Sequence, residues 1–200
     1  ASGGAYGLRA GVLVDQLPDS ASLRVYSQER PNAIVETSGA QVNALLAQNA
    51  KAGETGAAAA TWWTPEVGAG NATLEVVLPA GVSTDVLRIA IPTISHVFQN
   101  LALPTEEELD ASTKATGVGA SESCNLDANC TTNYQTERNA VARMVFTASD
   151  GKSYLCTGTL VNNTKQDFTP YFVTANHCIS TQSAASSLQT YWFYRSTSCN

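Results

Sequence analysis

Tyr171-Phe172-Val173-Thr174-Ala175-Asn176-His177-Cys178 is the stretch from which the rest of this chain can be read. Its first three residues are aromatic or β-branched and predict a strand, and Thr174-Ala175-Asn176 shifts to small and polar residues that suit a strand's end. His177 therefore falls where a strand stops, beside a cysteine. Cys156 lies 22 positions upstream of Cys178. A bridge between these two would close a loop containing Thr159-Leu160-Val161 and the turn-prone Asn162-Asn163-Thr164, and it would hold the imidazole's backbone still.

The neighbouring sequence continues in strands. Asn139 to Phe146 carries Val141, Met144, Val145 and Phe146 and predicts a strand, although its alternation is imperfect. Asp150-Gly151 is a tight-turn signal, and Ser153 to Val161 reads as the returning strand of a hairpin. Tyr171 to Thr174 follows as another.

Residues 1–104 also read as mostly β. Leu8 to Val14, Ser22 to Tyr26, Thr73 to Leu78 and Val86 to Ile91 are rich in β-formers, and Leu87, Ile89 and Ile91 alternate as half-buried strand residues should. Ser38 can cap one helix that places Val42, Leu45 and Leu46 on a common face before Gly53 ends it. The small-residue tract from Gly53 to Ala60 is expected to be a loop. Several short strands and a helix point to a compact β-sandwich. Trp62 and Trp63 read as packed strand-end aromatics, and an exposed sugar- or peptide-binding pair is the alternative. His96, isolated in an apolar run, is read as a structural hydrogen-bonding residue without function.

From Pro104 the chain changes character. Glu106-Glu107-Glu108 opens an acidic run, and 111–123 is small, polar and Gly-containing, as in an exposed linker. The 200-residue chain carries a net charge of −6, an isoelectric point near 4.8 and 44% hydrophobic residues, which allows a real core. Its Lys and Arg are few and scattered, arguing against a nucleic-acid or anionic-membrane surface. No apolar run reaches the length of a membrane span.

All five cysteines fall between 124 and 199. That segregation marks a boundary between an unstapled N-terminal part and a stapled remainder, and the odd count leaves one thiol over. The cysteines lack the close CxxC spacing of structural zinc, so disulfides are better supported than metal, and no cofactor is called for.

Cys156-Thr157-Gly158-Thr159-Leu160-Val161, taken with Tyr171 to Cys178, resembles the histidine region of chymotrypsin-like (trypsin-like) serine proteases, and most of all that of bacterial lysyl endopeptidases. Ser123-Cys124-Asn125-Leu126-Asp127 with Cys130, Leu160 to Thr164, and Tyr191-Trp192-Phe193-Tyr194 leading to Cys199 support the narrower resemblance. It implies a mostly-β chain in three parts. Residues 1–104 would be a β-sandwich-like pro-region, 105–118 a linker or activation segment cut near Lys114 or before Gly119, and 119–200 the first β-barrel of the protease fold. The same resemblance implies Cys156–Cys178 and Cys130–Cys199 disulfides, with Cys124 unpaired here and its partner beyond Asn200. It further implies secretion and a protein or peptide substrate, with a preference for lysine and a pro-region that chaperones or inhibits the enzyme.

His177 is the catalytic residue this resemblance implies. A neutral imidazole can take the proton of a serine hydroxyl as it attacks a peptide carbonyl, then pass it to the departing amine. In this order of the triad the carboxylate and serine follow the histidine. Yet no Asp or Glu follows Cys178 and no Gly follows Gly158, so both partners are expected past residue 200 and the chain alone is expected to be inactive. Ser180, Ser183, Ser186, Ser187, Ser196 and Ser198 read as surface residues. The competing readings of His177 are a structural histidine beside a disulfide and a His–Cys metal site. For the whole chain, the competing reading is a noncatalytic secreted β-sandwich binding module with a degenerate protease-like segment.

Overall fold

The computed structural model describes residues 1–68, 70–98, 101, 126–195 and 199. The leader around Cys124, the 105–118 linker, Ser196 and Ser198 lie outside these residues. The described chain is mostly β, with antiparallel sheets consistent with a chymotrypsin-like fold.

Two three-stranded sheets make the N-terminal part. In one, β1 (Gly7–Gln16) lies between β4 (Thr61–Trp63) and β6 (Arg88–Val97). In the other, β2 (Ser22–Ser27) lies between β3 (Arg30–Ser38) and β5 (Thr73–Val77). Val12 and Trp62 from the first sheet meet Leu23 and Val25 from the second, and Val42 of helix α1 (Gly39–Lys51) joins the same core. Each such side chain contributes about 1.5–3 kcal/mol through burial, which explains the expected sandwich packing. Ser38 caps α1 in a reciprocal box: its Oγ accepts from Gln41 N at 3.2 Å, and its own N–H donates to Gln41 Oε1 at 2.9 Å.

Three expectations change. Gly56–Ala60 forms helix α2 instead of a loop, because four consecutive alanines lose no side-chain entropy in a helix. The strand expected to end at Ile91 runs on to Val97, drawn out by its pairing along β1 as far as Gly7↔Val97. Leu87 and Ile89 pack against the core as expected, whereas Ile91 is exposed.

The second part is a four-stranded antiparallel sheet in the order β10-β7-β8-β9. Its strands are β7 (Val141–Thr147), β8 (Ser153–Val161), β9 (Tyr171–Thr174) and β10 (Gln189–Trp192). The β7–β8 hairpin closes through Gly151 N donating to Ala148 O at 2.9 Å, with Gly151 at φ +76°, a conformation that favours glycine. A short helix α3 (Gln182–Ser186) covers the sheet through buried Ala184, which packs with Met144 and Phe146.

The two parts are joined by a polar and partly buried seam. Glu54 Oε1 accepts from Ser183 N at 2.9 Å and from Ser183 Oγ at 3.0 Å, and Ser186 Oγ donates to Asn49 Oδ1. Gln189 Oε1 accepts from Glu66 N at 2.7 Å, and the Tyr191 hydroxyl donates to Glu66 Oε2 at 2.9 Å. Burial, followed by the charge of Glu66 and this hydrogen bond, raises the Tyr191 pKa and keeps the phenol a donor. Ser187, expected on the surface, is only 2% exposed because its Oγ accepts from Thr147 N at 2.7 Å and donates to Ala184 O at 2.7 Å. Ser183 and Ser186, also expected on the surface, are half-buried where Glu54 and Asn49 of the N-terminal part bond to them.

Candidate active site

Strand β9 ends at Thr174, and the chain turns immediately: Cys178 N and Ile179 N both donate to Ala175 O, at 2.9 and 3.2 Å. His177 sits on this turn and is exposed. The turn is held from two sides. Thr174 Oγ1 donates to Thr157 O on β8 at 2.9 Å, and Cys178 is bonded to Cys156, also on β8.

Why this strand pair forms is legible in its side chains. Gly158 opposes Thr174, and a Cβ at Gly158 would run into the Phe172 ring, so glycine admits that ring against β8. Phe172 in turn meets Trp192 edge-on at 6.1 Å between centroids. Cys156, Phe172 and Cys178 pack against buried Met144 and Phe146, which seats the disulfide on the core. The imidazole therefore projects from a backbone fixed by a covalent bond, a hydrogen bond and apolar packing.

The ring makes no hydrogen bond among the described residues. One of its nitrogens and the two sulfurs lie within 4.8 Å of one another, close enough in distance for a metal site. Both sulfurs, however, are spent in the disulfide and offer no thiolate, which is the form that binds zinc. The arrangement instead presents a single solvent-facing imidazole with both nitrogens available, which can accept and return a proton.

Cys130 and Cys199 form the second disulfide, bringing together segments 69 residues apart. Both bridges join the pairs that the resemblance implied. The other aromatic and histidine candidates fall elsewhere. Trp62 is 5% exposed and belongs to the sandwich core, and the Trp63 ring lies against Gly11. That burial removes the paired aromatic surface on which a binding-module reading depended. His96 Nδ1 is hydrogen-bonded to Ser2 Oγ at 2.8 Å, a structural link between β6 and the N-terminal segment.

Sequence reading missed the seam beside this site. Helix α3 begins five residues after His177 and is held by Asn49 and Glu54 from the end of α1. The only signal was a run of small polar residues, which reads equally well as exposed loop.

The family described as lysyl endopeptidase N-terminal domain matches residues 1–98, and the one described as lysyl endopeptidase, C-terminal domain, matches residues 118–200. The lysyl endopeptidase of Pseudomonas aeruginosa is 40% identical over an alignment of 144 residues that covers 69% of this chain and 29% of that protein. The chain thus spans less than a third of this curated relative's length. No solved structure matches.

Proposed function

We infer function from one premise, that this chain belongs to the lysyl endopeptidase family, and we propose that His177 is the general base of a secreted serine endopeptidase. The observation that carries this reading is the exposed imidazole on a turn pinned by Cys156–Cys178. Proton transfer from a positioned side chain contributes about 10²–10⁴-fold, and positioning is what the disulfide and the Thr174 hydrogen bond supply.

In this mechanism one imidazole nitrogen faces a serine hydroxyl and takes its proton as the oxygen attacks the scissile carbonyl. The other nitrogen donates to a carboxylate that fixes the tautomer and stabilises the cation. In this proposal the serine and carboxylate are supplied by protease sequence outside these 200 residues, and the chain spans 29% of the Pseudomonas aeruginosa lysyl endopeptidase. Cleavage after lysine, the preference expected from the family, is part of the same proposal.

Residues 1–98 act as the pro-region in this reading, with protein or peptide as the enzyme's substrate. The bonds from Glu54 to Ser183 and from Asn49 to Ser186 support a role in ordering the segment after His177, as an intramolecular chaperone would.

The test is made in the longer protease that contains this chain. His177→Ala is expected to lower kcat on a lysyl peptide substrate by at least about 10³-fold with little change in KM. Retention of the wild-type rate would reject the assignment. Equal hydrolysis of lysyl and arginyl substrates would reject the specificity while leaving His177 in place.

A further inference from the structure

Three of the chain's eleven basic residues line one cavity of about 530 Å³: Arg138 and Arg143, which are close in sequence, and the distant Arg195. Arg138, Arg143, Tyr194 and Arg195 line it, together with Val141 and Leu155. Each arginine is held by a neighbour. Arg143 Cζ sits 4.4 Å from the centre of the Tyr194 ring, Arg195 Nη1 donates to Asn139 Oδ1 at 3.0 Å, and Arg138 Nη1 donates to Ala128 O.

These contacts leave polar atoms over. Arg138 Nε, Arg143 Nη1 and Tyr194 Oη are buried and have no hydrogen-bond partner among the described residues. None of the three guanidinium groups is in an ion pair there either, the two described pairs being Arg24–Glu36 and Arg88–Asp15. A buried donor left unmade costs about 1–3 kcal/mol, and more when charged. Three guanidinium groups that line one cavity with no carboxylate partner among the described residues form a site suited to an anion, through charge-assisted bonds that a planar guanidinium makes two at a time.

We propose that this cavity receives a carboxylate carried on a polypeptide, the side chain of an acidic residue flanked by apolar ones. Peptide is favoured over a free anion because the cavity's surroundings are apolar: Val141 and Leu155 on its wall and Phe193 beside Tyr194 are each more than a third exposed. A small inorganic anion would satisfy the arginines and leave those side chains in water. The site needs nothing from His177, so it stands or falls apart from the proposed catalysis.

The experiment uses the whole 200-residue chain with both disulfides formed. Acetyl-Leu-Glu-Phe-amide is titrated while the Arg Nε–Hε and Trp192 resonances are followed, beside its Gln analogue and sodium sulfate. The expected result is saturable binding of the Glu peptide, at least about tenfold weaker binding of the Gln peptide, and competition by sulfate. Arg143→Met and Arg138→Gln are each expected to weaken the Glu peptide at least about tenfold, and having two variants guards against one that fails to fold. Equal binding of the Glu and Gln peptides, unchanged affinity in both variants, or sulfate binding without peptide binding would each overturn the proposal.

Discussion

The guanidinium of Arg9 on β1 donates to Thr147 Oγ1 on β7 at 3.1 Å, across 138 residues of chain. Its Nε donates to Thr64 O at 3.0 Å and its Nη2 to Ser187 O, so one side chain ties both parts of the molecule together. Arg9 is 1% exposed, and burial lowers its pKa to about 10, which still leaves it cationic at neutral pH. Glu66 offsets part of that cost electrostatically. Replacing it by Met removes the desolvation penalty but strands two carbonyls, each worth about 1–3 kcal/mol when left unsatisfied. Arg9→Met is therefore expected to lower stability by about 2–4 kcal/mol. Urea unfolding of the full chain checks this, and an unchanged midpoint would mean the seam holds without Arg9.

The two disulfides should differ in weight. On the loop-entropy account, the 22-residue Cys156–Cys178 loop contributes about 3 kcal/mol and the 69-residue Cys130–Cys199 loop about 4 kcal/mol. Cys156→Ser/Cys178→Ser should lower the urea midpoint slightly less than Cys130→Ser/Cys199→Ser. Only the first pair should also speed amide exchange at Cys178 and Ile179, whose N–H groups close the His177 turn. Uniform exchange changes in both variants would show that the Cys156–Cys178 bridge does not specifically fix that turn.

His177→Ala separates a chemical histidine from a structural one. Because the ring is exposed and makes no hydrogen bond among the described residues, the substitution should change stability by no more than about 0.5 kcal/mol. A loss above about 2 kcal/mol in thermal or urea unfolding would favour the structural reading instead.

The parts of the fold that were legible in sequence are those decided locally. The β-forming runs of β1, β2 and β5, the Ser38 cap of α1, and Asp150-Gly151 all act within a few residues, and the structure has each of them. The position of His177 at a strand's end was legible for the same reason. What escaped was set by distant partners. Strand β3, exposed along most of its length, carries little apolar patterning and exists through its pairing with β2. Arg195 is remote in sequence from Arg138 and Arg143, yet folding brings it to the same cavity. Ser187 looks like any loop serine until Arg9 and Thr147 are folded onto it.

Asp167 offers a prediction in pH. It lies in the loop joining β8 to β9, where its Oδ1 accepts from Asn163 Nδ2 at 2.6 Å and from Thr169 N at 3.1 Å. The Asn163 side chain first, and then Thr169, lower its pKa from 3.8 to about 2. Since the folded value is below the unfolded one, the stabilisation is fully present above pH 3.8 and is lost as pH falls through about 2. The Asn163 side-chain amide and the Thr169 amide should therefore shift together with a midpoint near pH 2, and Asp167→Asn should abolish that transition. The loop enters β9 at Tyr171, whereas His177 follows the other end at Thr174, with four paired strand positions between them. Titrating Asp167 should accordingly leave the amides of the 175–179 turn unmoved, and a shared transition would show that the two ends of β9 are coupled.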